Sequence, residues 1–363
     1  MNLETNDCSI TTGSIATATA LSGLQSILTN ENIAIVEIST PTDIINVEIK
    51  ENKKVSKNIA KSIAVKYPYN DPDVTINLEI VATVELLDKV NDETVIITGG
   101  KGIGKVTKPG LQVAVGDYAI NPIPLKMIRK NLEPLIPEGK SVKVEISAPE
   151  GEEIAKKTMN PKLGIIGGIS IIGTTGIARS MSSKAYKDSI AYQIDVAIAQ
   201  NLDNLVFTPG NIGEGLAQEK LKVSKDQIIQ TGNYVGFMFN NAYEKGLKEF
   251  TYFGHIGKLV KVAGGIFNTK HSVADGRREI VITYAALNGA SRNVLEEIYE
   301  SKTTDDMFEI LNRENLSLKV SNDIAKAIKN LCKSQFDIDL NVILVDMTGH
   351  FLNENFNLNQ FNL

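Results

Sequence analysis

The sequence predicts a mixed α/β protein, in which an N-terminal α+β domain is followed by a three-layer α/β domain. Of its 363 residues, 42% are apolar and 22% are charged, a mixture typical of globular proteins. The first half is rich in β-branched segments, whereas the second half alternates strand and helix patterns. A charged stretch containing Pro and Gly, residues 148–162, separates the two halves. The predicted domains are therefore residues 1–155 and 156–363.

The N-terminal domain is predicted to begin with a helix over residues 14–28, which packs through small side chains. A Thr-Thr-Gly sequence at 11–13 precedes this helix, where exposed backbone N–H groups could hold an anion. Strands are predicted for IAIVEI, IINVEI and VTINLEIVATVEL, because β-branched residues recur there in partial alternation. Residues 119–135 predict a helix entered through prolines, and residues 141–147 predict a closing strand.

The C-terminal domain is predicted from alternating segments. Residues 163–173 predict a buried strand pair, and an amphipathic helix follows over SSKAYKDSIAYQIDVAIAQ. The next strand is NLVF, and helices are predicted for EGLAQEKL and YVGFMFNNAYEKGL. The segment FTYFGHIGKLVKVAG is predicted as a strand region, before four helical stretches and a last strand at 341–347. The Asn-rich C-terminal end predicts a loose tail.

Charge and cysteine content argue against several protein classes. The net charge is −5 and no dense Lys/Arg block occurs, so no nucleic-acid partner is expected. Two unrelated cysteines, Cys8 and Cys332, predict a reducing cytoplasm without disulfides. The three histidines are too scattered to predict a protein-bound metal. The most apolar run, residues 163–178, is too short to span a bilayer, so no membrane partner is expected.

Two glycine-rich segments are candidates for ligand binding. The first, GGKGIGK at 99–105, follows a strand, but the VTKPGL after it opposes a helix, so a ligand-free turn is equally well supported. The second, TPGNIGEG at 208–215, joins a strand to a helix, the position where open α/β sheets bind ligands. A tight structural connection is the alternative here. The residues predicted to bind the ligand are Thr208, Gly210, Asn211, Gly213 and Glu214.

The segment GHIGKLVKVAGGIFN, residues 254–268, combines polar residues with an apolar context. It is not a phosphate-binding loop, since Leu259 stands where a hydroxyl residue is required. We take His255 as the candidate general base, because an imidazole titrates near neutral pH. Basic residues crowd this region and predict a pocket for an anion with several carboxylates or phosphates; they are Lys258, Lys261, Lys270, His271, Arg277 and Arg278. A charged rim without a ligand is the alternative.

The order of these motifs along the chain resembles that of one family. The series is TTGS, DPDVT, GGKGIGKVTKPGL, AINPIPLKMI, GGISIIGTTGI, FTPGNIGE, GHIGKLVKVAGGIFN and VADGR. It closely resembles the cobalt-precorrin-5B C1-methyltransferases, the CbiD family of anaerobic cobalamin biosynthesis, over residues 9 to 290. No single motif carries the resemblance, which depends on their joint order.

The resemblance implies a transferase that moves a methyl group from S-adenosylmethionine to ring carbon C1 of cobalt-precorrin-5B, giving cobalt-precorrin-6A. Cobalt then belongs to the substrate. From its position between a strand and a helix, we expect segment 208–215 to contribute to the S-adenosylmethionine site. Lys258 would pair with a peripheral carboxylate of the tetrapyrrole, and Asp275 would hold Arg277 for a second one. The implied enzyme is cytoplasmic, with at most transient contacts to other cobalamin-pathway enzymes.

Two positions depart from the family pattern. Ile15 stands where family members commonly carry a cysteine, so no thiol nucleophile belongs there. The usual Thr-His-Ser sequence appears as Thr269, Lys270, His271 and Ser272, with the histidine displaced by one position. Two rival functions stay open at this point. One is a nucleotide-dependent kinase or ligase built on the glycine loops, and the other is a non-catalytic carrier of corrinoid intermediates.

Overall fold

The computed structural model describes residues 8–70, 73–89, 92–179 and 183–361. The chain forms two compact units, Met1–Tyr186 and Lys187–Leu363. Both contain helices and sheets, which confirms the predicted mixed α/β class. The division falls later than the boundary predicted at residues 155 and 156. The reason is strand pairing, since residues 165–179 supply three short strands that pair with earlier strands of the first unit.

The first unit is built around a five-stranded sheet. Its described strands are β1 (Cys8–Ile10), β2 (Ile35–Ser39), β3 (Ile44–Glu48), β4 (Glu51–Lys54), β5 (Ile59–Val65), β6 (Glu79–Asp88), β7 (Val95–Gly99), β8 (Gly102–Ile103), β9 (Lys105–Val106), β10 (Lys140–Ser147), β11 (Ile165–Ile166), β12 (Gly168–Ile169) and β13 (Ile177–Arg179). Its helices are α1 (Thr12–Thr29), α2 (Pro122–Leu132) and α3 (Gly151–Ala155). The main sheet has the order β4-β5-β6-β10-β7, and only the β10–β7 pair is parallel.

Helix α1 is buried along most of its length and lies against β5, β6 and α2. Its N-terminal N–H groups, considered above as an anion site, bond within the chain. The Gly13 N–H donates to the Ile172 carbonyl at 2.9 Å, and the Ser14 N–H donates to Thr11 Oγ1 at 3.2 Å. The Thr11 N–H likewise donates to the Gly176 carbonyl at 3.1 Å, so chain carbonyls accept the N–H groups that an anion would need.

The second unit contains a four-stranded parallel sheet in the order β15-β14-β16-β17. The strands are β14 (Val206–Thr208), β15 (Ile228–Gln230), β16 (Glu249–His255) and β17 (Asp339–Val345). Helix α4 (Ser183–Ala199) crosses the division between the units. The later helices are α5 (Asn211–Leu221), α6 (Val235–Glu244), α7 (Ile256–Ala263), α8 (Arg277–Leu287), α9 (Arg292–Glu300), α10 (Thr304–Arg313) and α11 (Ser317–Phe336).

The segment predicted as a single strand region divides at His255. Strand β16 ends there, and α7 begins at the next residue. Buried Ile256, Leu259 and Val260 follow the three- and four-residue spacing of a helix face. Glycines and β-branched valines in this segment obscure that spacing in the sequence. The strand prediction is therefore wrong after His255, and Lys258 lies on a helix.

The Asn-rich C-terminal segment is fixed by its own side chains rather than loose. The Leu344 N–H donates to Asn353 Oδ1 at 2.8 Å, and Asn353 Nδ2 donates to the Val342 carbonyl at 3.0 Å. Asn341 exchanges two further bonds with Asn357, of 2.8 and 2.9 Å. These amides satisfy backbone groups beside β17 that lack a further strand as partner. The prediction of a loose tail is therefore wrong for residues 353–361, and the last two residues lie outside the described part of the chain.

Candidate active site

In the parallel sheet of the second unit, the strand order reverses between β14 and β16. From β14 the chain passes through α5 to β15 on one side, and from β16 it passes through α7–α11 to β17 on the other. Because such crossovers are right-handed, α5 and α7 leave the carboxyl edge on opposite faces of the sheet. Open α/β sheets form a ligand-binding crevice at this point. In this chain the segments that would border such a crevice are residues 208–211 and 255–258.

The segment after β14 has one glycine that faces open space, before α5, and one that is tightly packed, in the first turn of α5. Gly210 is the N-cap of α5 with extended backbone (φ 176°), and a side chain there would meet no atom within 4 Å. A Cβ at Gly213 would instead lie 1.8 Å from Thr208 Oγ1. Gly213 therefore serves the packing of α5 on β14, whereas Gly210 leaves the backbone open at the crevice.

Polar groups converge around this loop. Thr208 is fully buried, and its Oγ1 has no hydrogen-bond partner among the described residues. Asn211 and Glu214, both predicted to contact a ligand, are joined by Gln230 at the end of β15. Sequence reasoning missed Gln230. Gln230 could have been found from its position at the end of β15, but only once the strand order had shown that β15 lies beside β14.

His255 caps helix α7 instead of facing the crevice with a free nitrogen. Its Nδ1 accepts a hydrogen bond from the Gly257 N–H at 3.2 Å. Its Nε2 lies 3.0 Å from Oδ1 of Asp305, in the first turn of α10. An imidazole whose Nδ1 accepts from the backbone carries its proton on Nε2, which then donates to the carboxylate. A role as general base, which stays a prediction, would require one of these bonds to open.

The predicted cations Lys258 and Arg277 lie near enough to repel each other, and Arg277 is paired with Asp275. Arg277 holds Asp275 with two parallel bonds, Nε to Oδ1 at 2.8 Å and an Nη atom to Oδ2 at 2.7 Å. Buried Lys261 donates to the Ala274 carbonyl at 2.8 Å and lies 3.8 Å from Asp275. Half-buried Lys258 donates to Oδ1 of Asn233 at 2.8 Å. We call Lys258, Lys261, Asp275 and Arg277 the cationic cluster.

Electrostatics within the cationic cluster favour an anionic ligand. The hydrogen bonds from Arg277 hold the pKa of the Asp275 carboxyl well below its usual range. Burial lowers the pKa of Lys258, and the neighbouring charges of Lys261 and Arg277 lower it further. Burial also lowers the pKa of Lys261. The cationic groups of Lys258, Lys261 and Arg277 thus repel one another while Asp275 pairs only with the last two, and an additional anion would relieve that repulsion.

The remaining predicted cations lie outside the cluster or at its edge. Arg278 points to α9, where it lies 5.0 Å from the Tyr299 ring centre and donates to the Ser301 carbonyl at 3.4 Å. His271 is exposed, although its Nε2 lies 3.2 Å from Asp275. Lys270 is exposed as well. The six basic residues predicted from sequence therefore do not form one site, and the buried Lys261 is the member that fixes the loop between α7 and α8.

Neither a metal-binding cluster nor a membrane-spanning helix occurs in the described part of the chain. No three His, Cys, Asp or Glu side chains among those residues come close enough together to hold a metal ion. No described helix combines the length and apolar character that a bilayer crossing requires.

Family models and related proteins agree on where this chain belongs. The model described as CbiD matches residues 2–180, and the CbiD C-terminal domain model matches residues 268–355. A Methanobrevibacter smithii protein named cobalt-precorrin-5B C(1)-methyltransferase is 64% identical, covering 97% of this chain and 98% of its own length. The chain belongs to the CbiD family. The resemblance predicted from the order of the motifs is thereby confirmed.

Other CbiD relatives are more distant. A Methanosphaera stadtmanae protein of the same name is 49% identical, over 94% of this chain and 90% of its own. The crystal structure of a cobalamin biosynthesis protein (cbiD) from Archaeoglobus fulgidus is 27% identical and matches with a TM-score of 0.38. That match covers 75% of this chain and 84% of the other.

Proposed function

We infer that this chain is a C-methyltransferase that methylates ring carbon C1 of cobalt-precorrin-5B, giving cobalt-precorrin-6A. The observation that carries this inference is the 64% identity, over nearly the full length of both chains, to a protein named for that reaction. A methyltransferase needs a methyl donor, and we propose S-adenosylmethionine in that role. Cobalt is part of the substrate.

The two rival functions lack comparable support. A kinase or ligase would use the glycine segment 99–105, whose glycines lie against the chain's own backbone and side chains. A non-catalytic carrier would bind the macrocycle without needing a donor, and a relative named for methyl transfer gives no support to that function. The transferase is therefore the function to test first.

The residues of the crevice fit the donor. Gly210 leaves room for a ligand at the backbone, and the buried Thr208 hydroxyl lacks a partner among the described residues. Asn211 and Glu214 lie in the first turn of α5, beside that opening. Thr208, Gly210, Asn211 and Glu214 would hold the donor, with Gly213 securing the helix behind them.

The protein's contribution is alignment and exclusion of water. S-adenosylmethionine, when bound, supplies a sulfonium methyl group that is open to in-line attack by a carbon nucleophile. The loop after β14 would fix the donor at one face of the sheet edge, and α7 begins at the other face. The crevice can thus hold donor and acceptor on its two sides.

The cationic cluster suits a macrocycle ringed by carboxylates. Lys258 would pair with one peripheral carboxylate, and Arg277 would hold a second through its planar guanidinium group. Asp275 fixes the orientation of that guanidinium group through two hydrogen bonds. His255 supports this arrangement as the cap of the helix that carries Lys258. We retain it as the candidate base, for the case in which its bonds open on substrate binding.

A label-transfer experiment tests the function directly. The protein is incubated with cobalt-precorrin-5B and S-adenosylmethionine labelled in its methyl group. We expect a labelled product methylated at C1, identified by mass spectrometry and NMR. Folded protein that transfers no label would exclude the transferase, and binding of the macrocycle without transfer would support the carrier instead.

A further inference from the structure

Gln230 is held through both its backbone and its side chain at the carboxyl edge of the sheet, beside residues 208–211. Its Nε2 donates to Asn211 Oδ1 at 2.8 Å and also to Glu214 Oε2. Its backbone is fixed by buried Gln193 of α4, through bonds of 3.1 and 3.3 Å. The side chain is therefore held toward the first turn of α5 and joins two residues of that turn.

The position of Gln230 in the fold suggests what this group of side chains binds. It ends β15, the strand next to β14, and follows Gly210 by 20 residues. In dinucleotide-binding sheets, an acidic residue about 20 residues after the glycine loop accepts hydrogen bonds from a ribose. Here the strand end carries an amide, and the nearby carboxylate is that of Glu214 on α5. The amide donates to this carboxylate and so sets its orientation.

The group offers mainly acceptor oxygens to a ligand. These are the Asn211 Oδ1, the Glu214 carboxylate and the Gln230 Oε1, which accepts no hydrogen bond from the described residues. A ribose diol presents two O–H donors, so its chemistry matches these acceptors. The open backbone of Gly210, one residue before Asn211, leaves room for the ligand to approach.

We propose that Gln230, together with Asn211 and Glu214, forms the subsite that binds the ribose hydroxyls of the methyl donor. This inference rests on the proposed function, since it identifies which part of S-adenosylmethionine the subsite holds. Gln230 is then a donor-binding residue supplied by the strand next to the glycine loop.

Truncated ligands distinguish the ribose from the amino-acid end of the donor. Calorimetry compares S-adenosylhomocysteine, 5′-methylthioadenosine (which lacks the amino acid) and the 2′,3′-dideoxy form of methylthioadenosine. In Gln230→Leu, which keeps the volume and removes the amide, we expect the first two to bind about ten- to a hundredfold more weakly. The dideoxy ligand should bind the variant and the natural chain alike, because the contact is already absent.

Gln200→Leu is the matched control. Gln200 is half-buried in the same unit and donates to the Val196 carbonyl at 3.2 Å, at the end of α4 that leads to the opposite edge of the sheet. The Gln200→Leu variant should bind all three ligands as tightly as the natural chain does. Asn211→Ala, at an exposed position, provides a second variant if Gln230→Leu fails to fold, and should weaken the same two ligands.

Each other outcome overturns the inference. Weaker binding of S-adenosylhomocysteine alone would mean that the subsite holds the amino-acid end. Unchanged affinity for every ligand would make Gln230 a structural residue. Natural protein that binds none of the ligands would have no donor site to which the subsite could belong. Label transfer to cobalt-precorrin-5B is measured separately, so the methyltransferase function can stand while the subsite fails.

Discussion

The two glycine-rich segments, 99–105 in the first unit and 208–215 in the second, look alike in sequence and differ in their surroundings. Each follows a strand and contains at least three glycines. A Cβ at Gly102 would lie 1.8 Å from the Ala148 carbonyl oxygen, and a Cβ at Gly168 would lie 2.1 Å from the Gly102 oxygen. In the second segment, side chains at Gly210 and Gly215 would meet nothing within 4 Å.

This difference shows that a glycine run has two separate physical causes. In the first segment, bare backbone is needed so that β8 can lie against β12 and the residues before α3. At Gly210, no neighbour within the described protein requires the missing side chain, and the space is available to a ligand. Substitutions in the two segments should therefore act on different properties: stability in the first and donor binding in the second.

The largest effect is expected at Gly102. Its φ is +77°, so alanine would be strained there as well as overlapping a backbone carbonyl. Backbone strain of roughly 1–2 kcal/mol and overpacking of roughly 1–3 kcal/mol should together lower the free energy of unfolding by about 3 kcal/mol or more. Hydrogen exchange of the β7 and β10 amides, measured across a urea series, reports the stability of this unit.

Gly139→Ala is the control for Gly102→Ala. Gly139 has nearly the same φ, +73°, but a side chain there would meet no atom within 4 Å. Gly139→Ala should therefore lower the free energy of unfolding only by the backbone strain, roughly 1–2 kcal/mol. Equal losses in the two variants would show that the backbone conformation alone explains the glycines, and the contrast between the two segments would be lost.

Much of the second unit was predictable, because its helices and strands have clear periodic patterns. The strands Val206–Thr208 and Asp339–Val345 and the helices α4, α5 and α6 overlap the segments that the sequence pattern predicts, although α5 begins three residues before the predicted start at Glu214. Helix α7 was missed, because its start depends on a histidine cap that no simple pattern indicates. The fixed C-terminal segment was missed because amide side chains, not hydrophobic burial, hold it to β17.

The candidate site was predictable only where its residues are close in sequence. Lys258, Asp275 and Arg277 lie within 20 positions of one another, and one loop brings them together. Asn233 and Gln230 belong to the site because β15 lies beside β14, a neighbour relation that the sequence does not state. Asp305, the partner of His255, is 50 residues away on another helix. Strand order and helix packing therefore supply what local patterns leave out.

The second effect in size is expected at Gly210. Gly210→Val should fold, since the extended backbone suits valine and no neighbour obstructs it. Its side chain would occupy the space proposed for the donor and weaken binding by about 2 kcal/mol, or roughly thirtyfold. Calorimetry with S-adenosylhomocysteine measures this loss. Gly215→Ala, equally open but one turn further along α5, should bind normally. An unchanged affinity in Gly210→Val would return the loop to a purely structural role.

The smallest effect is expected on the other side of the crevice, at Lys258. This side chain is half-buried and bonds only to the neutral Asn233 among the described residues, so its removal breaks no ion pair within the chain. Its loss should remove one charge-assisted bond to a substrate carboxylate, worth about 1.5 kcal/mol and hence about tenfold in the KM for cobalt-precorrin-5B. Affinity for S-adenosylhomocysteine should not change in Lys258→Ala.

Lys326→Ala and Lys261→Met complete the test of the cationic cluster. Lys326 lies exposed on α11, so its loss should affect neither substrate nor stability. Lys261 is buried and ties the loop before α8 to α7, so Lys261→Met should lower stability and disturb Arg277 indirectly. If Lys258→Ala behaves like Lys261→Met, with lower thermal stability and a normal substrate KM in the folded protein, Lys258 is structural. The residues that bind the tetrapyrrole would then lie elsewhere. The donor site would still be tested independently by the affinity of Gly210→Val for S-adenosylhomocysteine.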